Sequence, residues 1–191
     1  MQLGAWAGDD RRLRRHMNES TAIARDLRLN LKRILEDSEL EIMDRYFALL
    51  ATAVAVNDEE LTGFARTELT SRGAAPEQIQ EAAESAAIMA MLNTYYRFRH
   101  MVQNDEDYRA AGLRMTGLAR PVLGKPRFEA LAFAVSVING CESCIRSHEK
   151  ALRESGFTPN QIHDLARTAA IARGLQTLAF NSIRETGMKI N

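Results

Sequence analysis

The sequence predicts an all-α fold, and three observations carry that prediction. Apolar residues recur at spacings of three and four along most of the chain. Hydrophobic residues fill 46% of the 191 positions, while aromatics fill 6% and Gly and Pro number only 11 and 4, a composition that favours helix over sheet. A single helical unit also recurs in tandem. The length suits one domain of ordinary size, or two small halves fused into one.

The elements can be taken in order. Residues 1–19 read as a loosely ordered basic extension, with "RRLRRH" as a solvated stretch and Met17 as an alternative start. The apolar part of this segment precedes its basic run, the reverse of a secretory signal. A first helix opens on Ser20 or Thr21 as N-cap, with Ile23, Leu27, Leu31, Ile34 and Leu35 as its apolar face. A second is expected from about Ser38 to Val56. A third runs from Asp58 to Ser71 and stops at Gly73. A fourth runs from Pro76 to Val102, with Pro at its first turn. "EDYRAAGLRM" reads as a shorter helical piece, and "ARPVLGKP" as the loop that divides the chain.

Beyond that loop the pattern repeats. "RYFALLATAVAVN" (Arg45–Asn57) matches "RFEALAFAVSVIN" (Arg127–Asn139), 82 residues on. "GAAPEQIQEAAESAAI" (Gly73–Ile88) matches "GFTPNQIHDLARTAAI" (Gly156–Ile171), 83 residues on. One inserted residue accounts for the change. The reading is a duplicated helical unit, repeat one over about 45–102 and repeat two over about 127–185, within a domain spanning 20–191.

Charges balance, with 25 Lys and Arg against 25 Asp and Glu. That gives no general attraction to nucleic acid or to an anionic membrane. No run of about 18 apolar residues is present to span a bilayer. The expected compartment is the cytoplasm, where a lone close cysteine pair is more often catalytic or metal-binding than a structural staple.

That pair lies in "NGCESCIRSHEKAL" (Asn139–Leu152) and comprises the chain's two cysteines, Cys141 and Cys144. Asn139-Gly140 ends an apolar helix, and a new helix begins at the cysteines, with Cys141 near its N-cap and Cys144 in its first turn. Residues three apart share a helix face, so the sulfurs can meet. The positive end of a helix favours thiolate. His148 follows Cys144 by four residues, one turn along the same face, and can take or hold its proton. Glu129, twelve residues before Cys141, interrupts the apolar run "FEALAFAVSVI". Facing inwards, it should have a raised pKa and shuttle protons. The alternative is a carboxylate that merely suits a helix start three residues after Pro126.

The 82-residue spacing puts Phe47, Glu59, Thr62 and Arg66 of the first repeat opposite Glu129, Cys141, Cys144 and His148. The scaffold is duplicated and the chemistry is not. A zinc site is a competing reading, since Cys, His and carboxylate are legal ligands, but the second C-x-x-C or H-x-H that structural zinc usually takes is missing. His16, His100 and His163 read as surface or packing residues, Met89, Met91 and Met101 as core filler, and "YYRFRH" (Tyr95–His100) as a helix end with no specific chemistry.

The segment "FEALAFAVSVINGCESCIRSHEKAL" resembles the catalytic segment of the AhpD alkylhydroperoxidases, in the carboxymuconolactone decarboxylase-like superfamily. Its pattern is Glu, eleven residues, then C-x-x-C-x-x-x-H. The resemblance extends from "RDLRLNL" (Arg25–Leu31) through "AAIMAMLNTYYRFRH" and "GLRM" to "AAIARGLQTLA". It implies an all-helical thiol peroxidase and disulfide reductase. Cys144 would attack the peroxide, Cys141 would resolve the sulfenic acid as the Cys141–Cys144 disulfide, and Glu129 with His148 would relay protons. It also implies no tightly bound cofactor, a dithiol reductant such as dihydrolipoamide on a dihydrolipoyl protein, a peroxiredoxin partner and a homotrimer. Well-studied members carry His immediately before the second cysteine, where this chain has Ser143. A hydroxyl passes a hydrogen bond but holds no charge near neutral pH, which shifts the weight towards disulfide exchange. An external dithiol is expected to attack Cys141, exposed at the helix start.

Overall fold

The computed structural model describes residues 21–102 and 106–187, with side chains described as far as residue 180. The readings of the basic extension, His16 and Met17 fall outside these residues. Among the described residues the regular structure is helical throughout: α1 (Ala22–Asp37), α2 (Ile42–Ala55), α3 (Glu59–Ser71), α4 (Pro76–Val102), α5 (Lys125–Asn139), α6 (Glu142–Glu154) and α7 (Pro159–Gly187), with one 3-10 turn at Thr116–Leu118.

The two most apolar helices form the centre. Every residue of α2 from Tyr46 to Ala53 is buried, and α5 buries Phe128 and the run from Ala130 to Ser136. A helix apolar all round must be enclosed on all sides. α2 and α5 pack on one another, α4 and α7 each lie against both, α3 covers α2, α6 covers α5, and α1 rests on α7. α4 also reaches α6, so a helix from the first half of the chain borders the cysteine helix of the second.

Local signals place the ends. Thr21 caps α1, its Oγ1 accepting from Ala24 N at 3.1 Å. Gly73 and Gly156 end their helices at φ 84° and 89°, a left-handed conformation open to glycine, and Pro76 and Pro159 open the next. The second helix starts at Ile42 rather than Ser38. Ser38 adopts extended backbone, and its hydroxyl donates to the buried Asp164 at 2.8 Å, while Glu39 N donates to the same oxygen at 3.0 Å. Burial pushes the Asp164 carboxyl up, but Ser38, Arg167 and the Glu39 amide more than offset this and hold its pKa below the usual carboxylate value. Arg45 closes the α1–α2 corner, donating to the carbonyls of Leu35, Glu36, Ser38 and Leu40 at 2.6–2.9 Å.

"EDYRAAGLRM" is not helical. It is a turn at 106–108 followed by irregular chain to Met115, with Gly112 at φ 63°. External contacts hold it instead: the Tyr95 hydroxyl donates to Tyr108 O at 3.1 Å, and Phe98 meets the Tyr108 ring edge-on. Ile23, expected on the apolar face of α1, is 70% exposed, as is Met101 at 72%, and Met91 is also at the surface. Met89 is buried as core filler should be.

Candidate active site

The site forms where α4, α5 and α6 meet beneath the 106–124 segment. α5 ends at Gly140, left-handed at φ 64°, and Cys141 is the N-cap of α6. With Cys141 at the cap, Cys144 falls at the third helical position. Their Cα atoms are 5.3 Å apart and the two sulfurs lie within disulfide-bonding distance, as the three-residue spacing implies. Cys141 is fully buried and Cys144 is 7% exposed. The expectation of an exposed Cys141 is therefore corrected: an N-cap can be enclosed when a neighbouring helix covers it, and it is Cys144 that lines the pocket.

Glu129, one turn into α5, and His148, one turn beyond Cys144, come together across the α5–α6 interface. His148 Nδ1 and Glu129 Oε2 are 2.6 Å apart, both half-buried. The Glu129 pKa is lowered, not raised as expected from burial. The hydrogen bond from His148 is the largest cause, desolvation opposes it, and the charges of His148 and Lys125 add to the lowering. An ionised carboxylate can only accept, so Nδ1 carries the proton of this bond. When the imidazole is neutral, this bond leaves its Nε2 as the acceptor for a thiol proton. Glu129 thus orients and polarises His148. Ser143 Oγ lies 3.7 Å from Cys141 Sγ, so this hydroxyl reaches the buried sulfur.

These residues border a cavity of about 340 Å³ whose walls are mainly apolar, contributed by Met89, Leu92 and Tyr96 of α4, Phe128 of α5, and Met115, Leu118 and Pro121 of the overlying segment. Glu81 pins that segment, accepting from Val122 N and Leu123 N at 2.8 and 2.7 Å. Cys144, Ser143, Ser147, His148, Glu129 and Lys125 supply the polar part. Sequence reasoning missed Tyr96, Lys125 and Ser147. Ser147 was within reach of it, since it follows Cys144 by three residues. Tyr96 was not, since only packing brings it to the pocket wall. His100 and His163 are exposed and take no part. Among the described residues, no group of three or more His, Cys, Asp or Glu side chains is placed to hold a metal ion. No described helix is long and apolar enough to cross a membrane.

Counted from helix starts, Cys141 stands opposite Asp58, not Glu59, because both are N-caps. The same count puts Cys144 opposite Leu61 and His148 opposite Ala65.

Comparison with known proteins places the chain in a family. A sequence model of the Carboxymuconolactone decarboxylase family matches residues 108–184. The chain is 41% identical over 149 residues to an alkyl hydroperoxide reductase AhpD of Anaeromyxobacter dehalogenans, covering 78% of this chain and 80% of the relative. It is 40% identical to that of Mycobacteroides abscessus, covering 82% and 89%, and 38% identical to that of Maricaulis maris, covering 83% and 91%.

Proposed function

The chain belongs to the AhpD alkyl hydroperoxide reductases, within the carboxymuconolactone decarboxylase family, and on that premise we propose that it reduces hydroperoxides through a Cys141–Cys144 redox disulfide. It is a peroxidase-type oxidoreductase. The observation that carries the site assignment is the meeting, in one pocket, of a closely paired C-x-x-C with a hydrogen-bonded Glu129–His148 pair.

In the proposed cycle His148, held by Glu129, takes the proton of Cys144. The α6 N-terminus stabilises the thiolate. Cys144 Sγ attacks the peroxide: an S–O bond forms, the O–O bond breaks, and the alcohol leaves with the proton returned by His148. Cys141 then attacks the sulfenic sulfur, the S–S bond forms and water leaves. Ser143 can hydrogen-bond the Cys141 sulfur as it gains and loses charge. A dithiol then reduces the disulfide and is itself oxidised. Because Cys141 is buried, that attack falls on Cys144, with Cys141 as leaving group. A dihydrolipoyl protein in the cytoplasm is the proposed reductant, a peroxiredoxin the proposed downstream partner and a homotrimer the proposed assembly. Ser143 favours one second reading, a disulfide reductase with little direct peroxidase turnover, since the extra charge-holding group is missing.

The test is peroxide consumption by the reduced protein with dihydrolipoamide recycling and thiols counted before and after. Loss of two thiols with sustained turnover is expected, and Cys144→Ser should abolish it; full activity in that variant would end the assignment of Cys144 as nucleophile. Loss of two thiols without turnover would select the disulfide reductase.

A further inference from the structure

The turn that presents Cys141 is held from another helix. Cys141 makes no side-chain cap for α6, unlike Asp58, whose Oδ1 accepts from Leu61 N at 3.0 Å and so closes the start of α3 from within. At the α5–α6 turn the holding groups come from α4. Asn93, fully buried, donates from Nδ2 to Ser136 Oγ at 2.9 Å and accepts at Oδ1 from Asn139 Nδ2 at 3.0 Å. Arg97, one turn further along α4, donates from Nη1 to the Asn139 carbonyl at 2.6 Å. The Ser136 carbonyl in turn accepts from Cys141 N at 3.2 Å. At the spacing that pairs Gly73–Ile88 with Gly156–Ile171, the α7 residues corresponding to Asn93 and Arg97 are Gln176 and Phe180. Neither side chain carries the Asn amide or the guanidinium that holds the cysteine turn.

We propose that Asn93 and Arg97 are positioning residues for the Cys141–Cys144 couple, holding the α5–α6 turn so that the two sulfurs remain neighbours when no bond joins them. This rests on the redox reading above. Reduction removes the covalent tie between the turn and the first turn of α6. From then on only the backbone keeps Cys141 beside Cys144, whose Cα atoms are 5.3 Å apart in the bonded pair. A fixed separation means a high effective concentration of one thiol at the other. That favours closure of the disulfide and lets Cys141 capture a sulfenic acid before a second peroxide oxidises it further. Truncating Asn93 leaves the buried Ser136 and the half-buried Asn139 each short of a partner, and the turn relaxes to find others.

The experiment equilibrates the full-length protein with dithiothreitol and its cyclic disulfide, so that one disulfide is reduced for each dithiol oxidised. It is read for Asn93→Ala, Arg97→Met and Arg97→Lys, together with the melting temperature of each redox form. The protein disulfide should become about tenfold less favoured in Asn93→Ala. Arg97→Met should shift it in the same direction by less, and Arg97→Lys, which retains a donor, should recover most of the shift. Peroxide treatment should leave more sulfinic acid on Cys144 in the first two variants, read by mass spectrometry. Variants that melt lower by the same amount in both redox forms, with the wild-type exchange equilibrium, would overturn the proposal and make the clamp merely structural. Arg97→Met decides the matter if Asn93→Ala does not fold. The equilibrium is read without peroxide, so a failure of peroxide turnover leaves the comparison standing; wild-type cysteines that do not exchange with dithiothreitol overturn both readings.

Discussion

Between α2 and α3 the chain reverses through Asn57, at φ 58°, into Asp58; between α5 and α6 it reverses through Gly140, at φ 64°, into Cys141. The backbone bonds correspond: Asp58 N donates to Ala53 O at 2.9 Å and Cys141 N to Ser136 O at 3.2 Å. Asn and Gly are the residues that tolerate this left-handed step most readily. What differs is the capping residue. Asp58 spends its carboxylate on the helix end. Cys141 leaves the positive end of α6 without a side-chain acceptor and places sulfur there, where the field favours thiolate. The α2–α3 turn thus closes its helix start with its own carboxylate, whereas the cysteine turn has no such cap and draws its support from α4.

The largest test of this contrast is Glu129→Gln. The first half has no paired Glu and His at these positions, so loss of the Glu129 charge should remove what the second half adds. Alkylation of Cys144 near neutral pH should slow by about 10²-fold, the usual range for a lost general-base system. An unchanged rate would return Glu129 to the role of a helix-start carboxylate.

The next effect concerns the two arginines that open the matching segments "RYFALLATAVAVN" and "RFEALAFAVSVIN". Arg45 donates to four carbonyls, whereas Arg127 pairs with Asp44 and lies over Phe47, its guanidinium 5.2 Å from the ring centre. Arg45→Ala should lower the unfolding free energy by about 2 kcal/mol and Arg127→Ala by about 1 kcal/mol or less. Denaturant unfolding of both variants measures this, and equal losses would remove the distinction.

Asp58→Ala should cost about 1 kcal/mol, the ordinary value of an N-cap, and leave the Cys144 alkylation rate as in wild type. A slowed rate would mean that the two turns are mechanically coupled.

The smallest effect is on pH. Glu129 and Asp164 both have lowered folded-state pKa values. A carboxylate of that kind contributes stability that is present above its unfolded value and lost as pH falls through the folded value. Stability should therefore decline below the ordinary carboxylate range, and Glu129→Gln should make the decline shallower. A Glu129→Gln profile parallel to wild type would mean that the Glu129–His148 bond adds nothing to folding.

Much of this was legible in the chain. Thr21, Gly73, Pro76, Gly140 and Gly156 are local signals, and each marks its element within a residue or two. The Cys141, Cys144 and His148 spacing is set by helix geometry and places them together without any tertiary information. The start of α2 was not legible, because Ser38 is drawn out of the helix by Asp164, 126 residues away. "EDYRAAGLRM" has helical composition, but contacts from Tyr95 and Phe98 decide its path.

The sequence by itself determined the helical class, the helix ends marked by capping residues, and the cysteine pair at a helix start, because these follow from interactions within a few residues of one another. Only the tertiary structure decided that Cys141 is enclosed and Cys144 accessible, that the Glu129 pKa falls rather than rises, and that Asn93 and Arg97 clamp the cysteine turn. Those depend on which side chains α4, α5 and α6 bring within hydrogen-bond reach. Burial, charge pairing and network membership are properties of the packed neighbourhood, and they cannot be read from residue order alone.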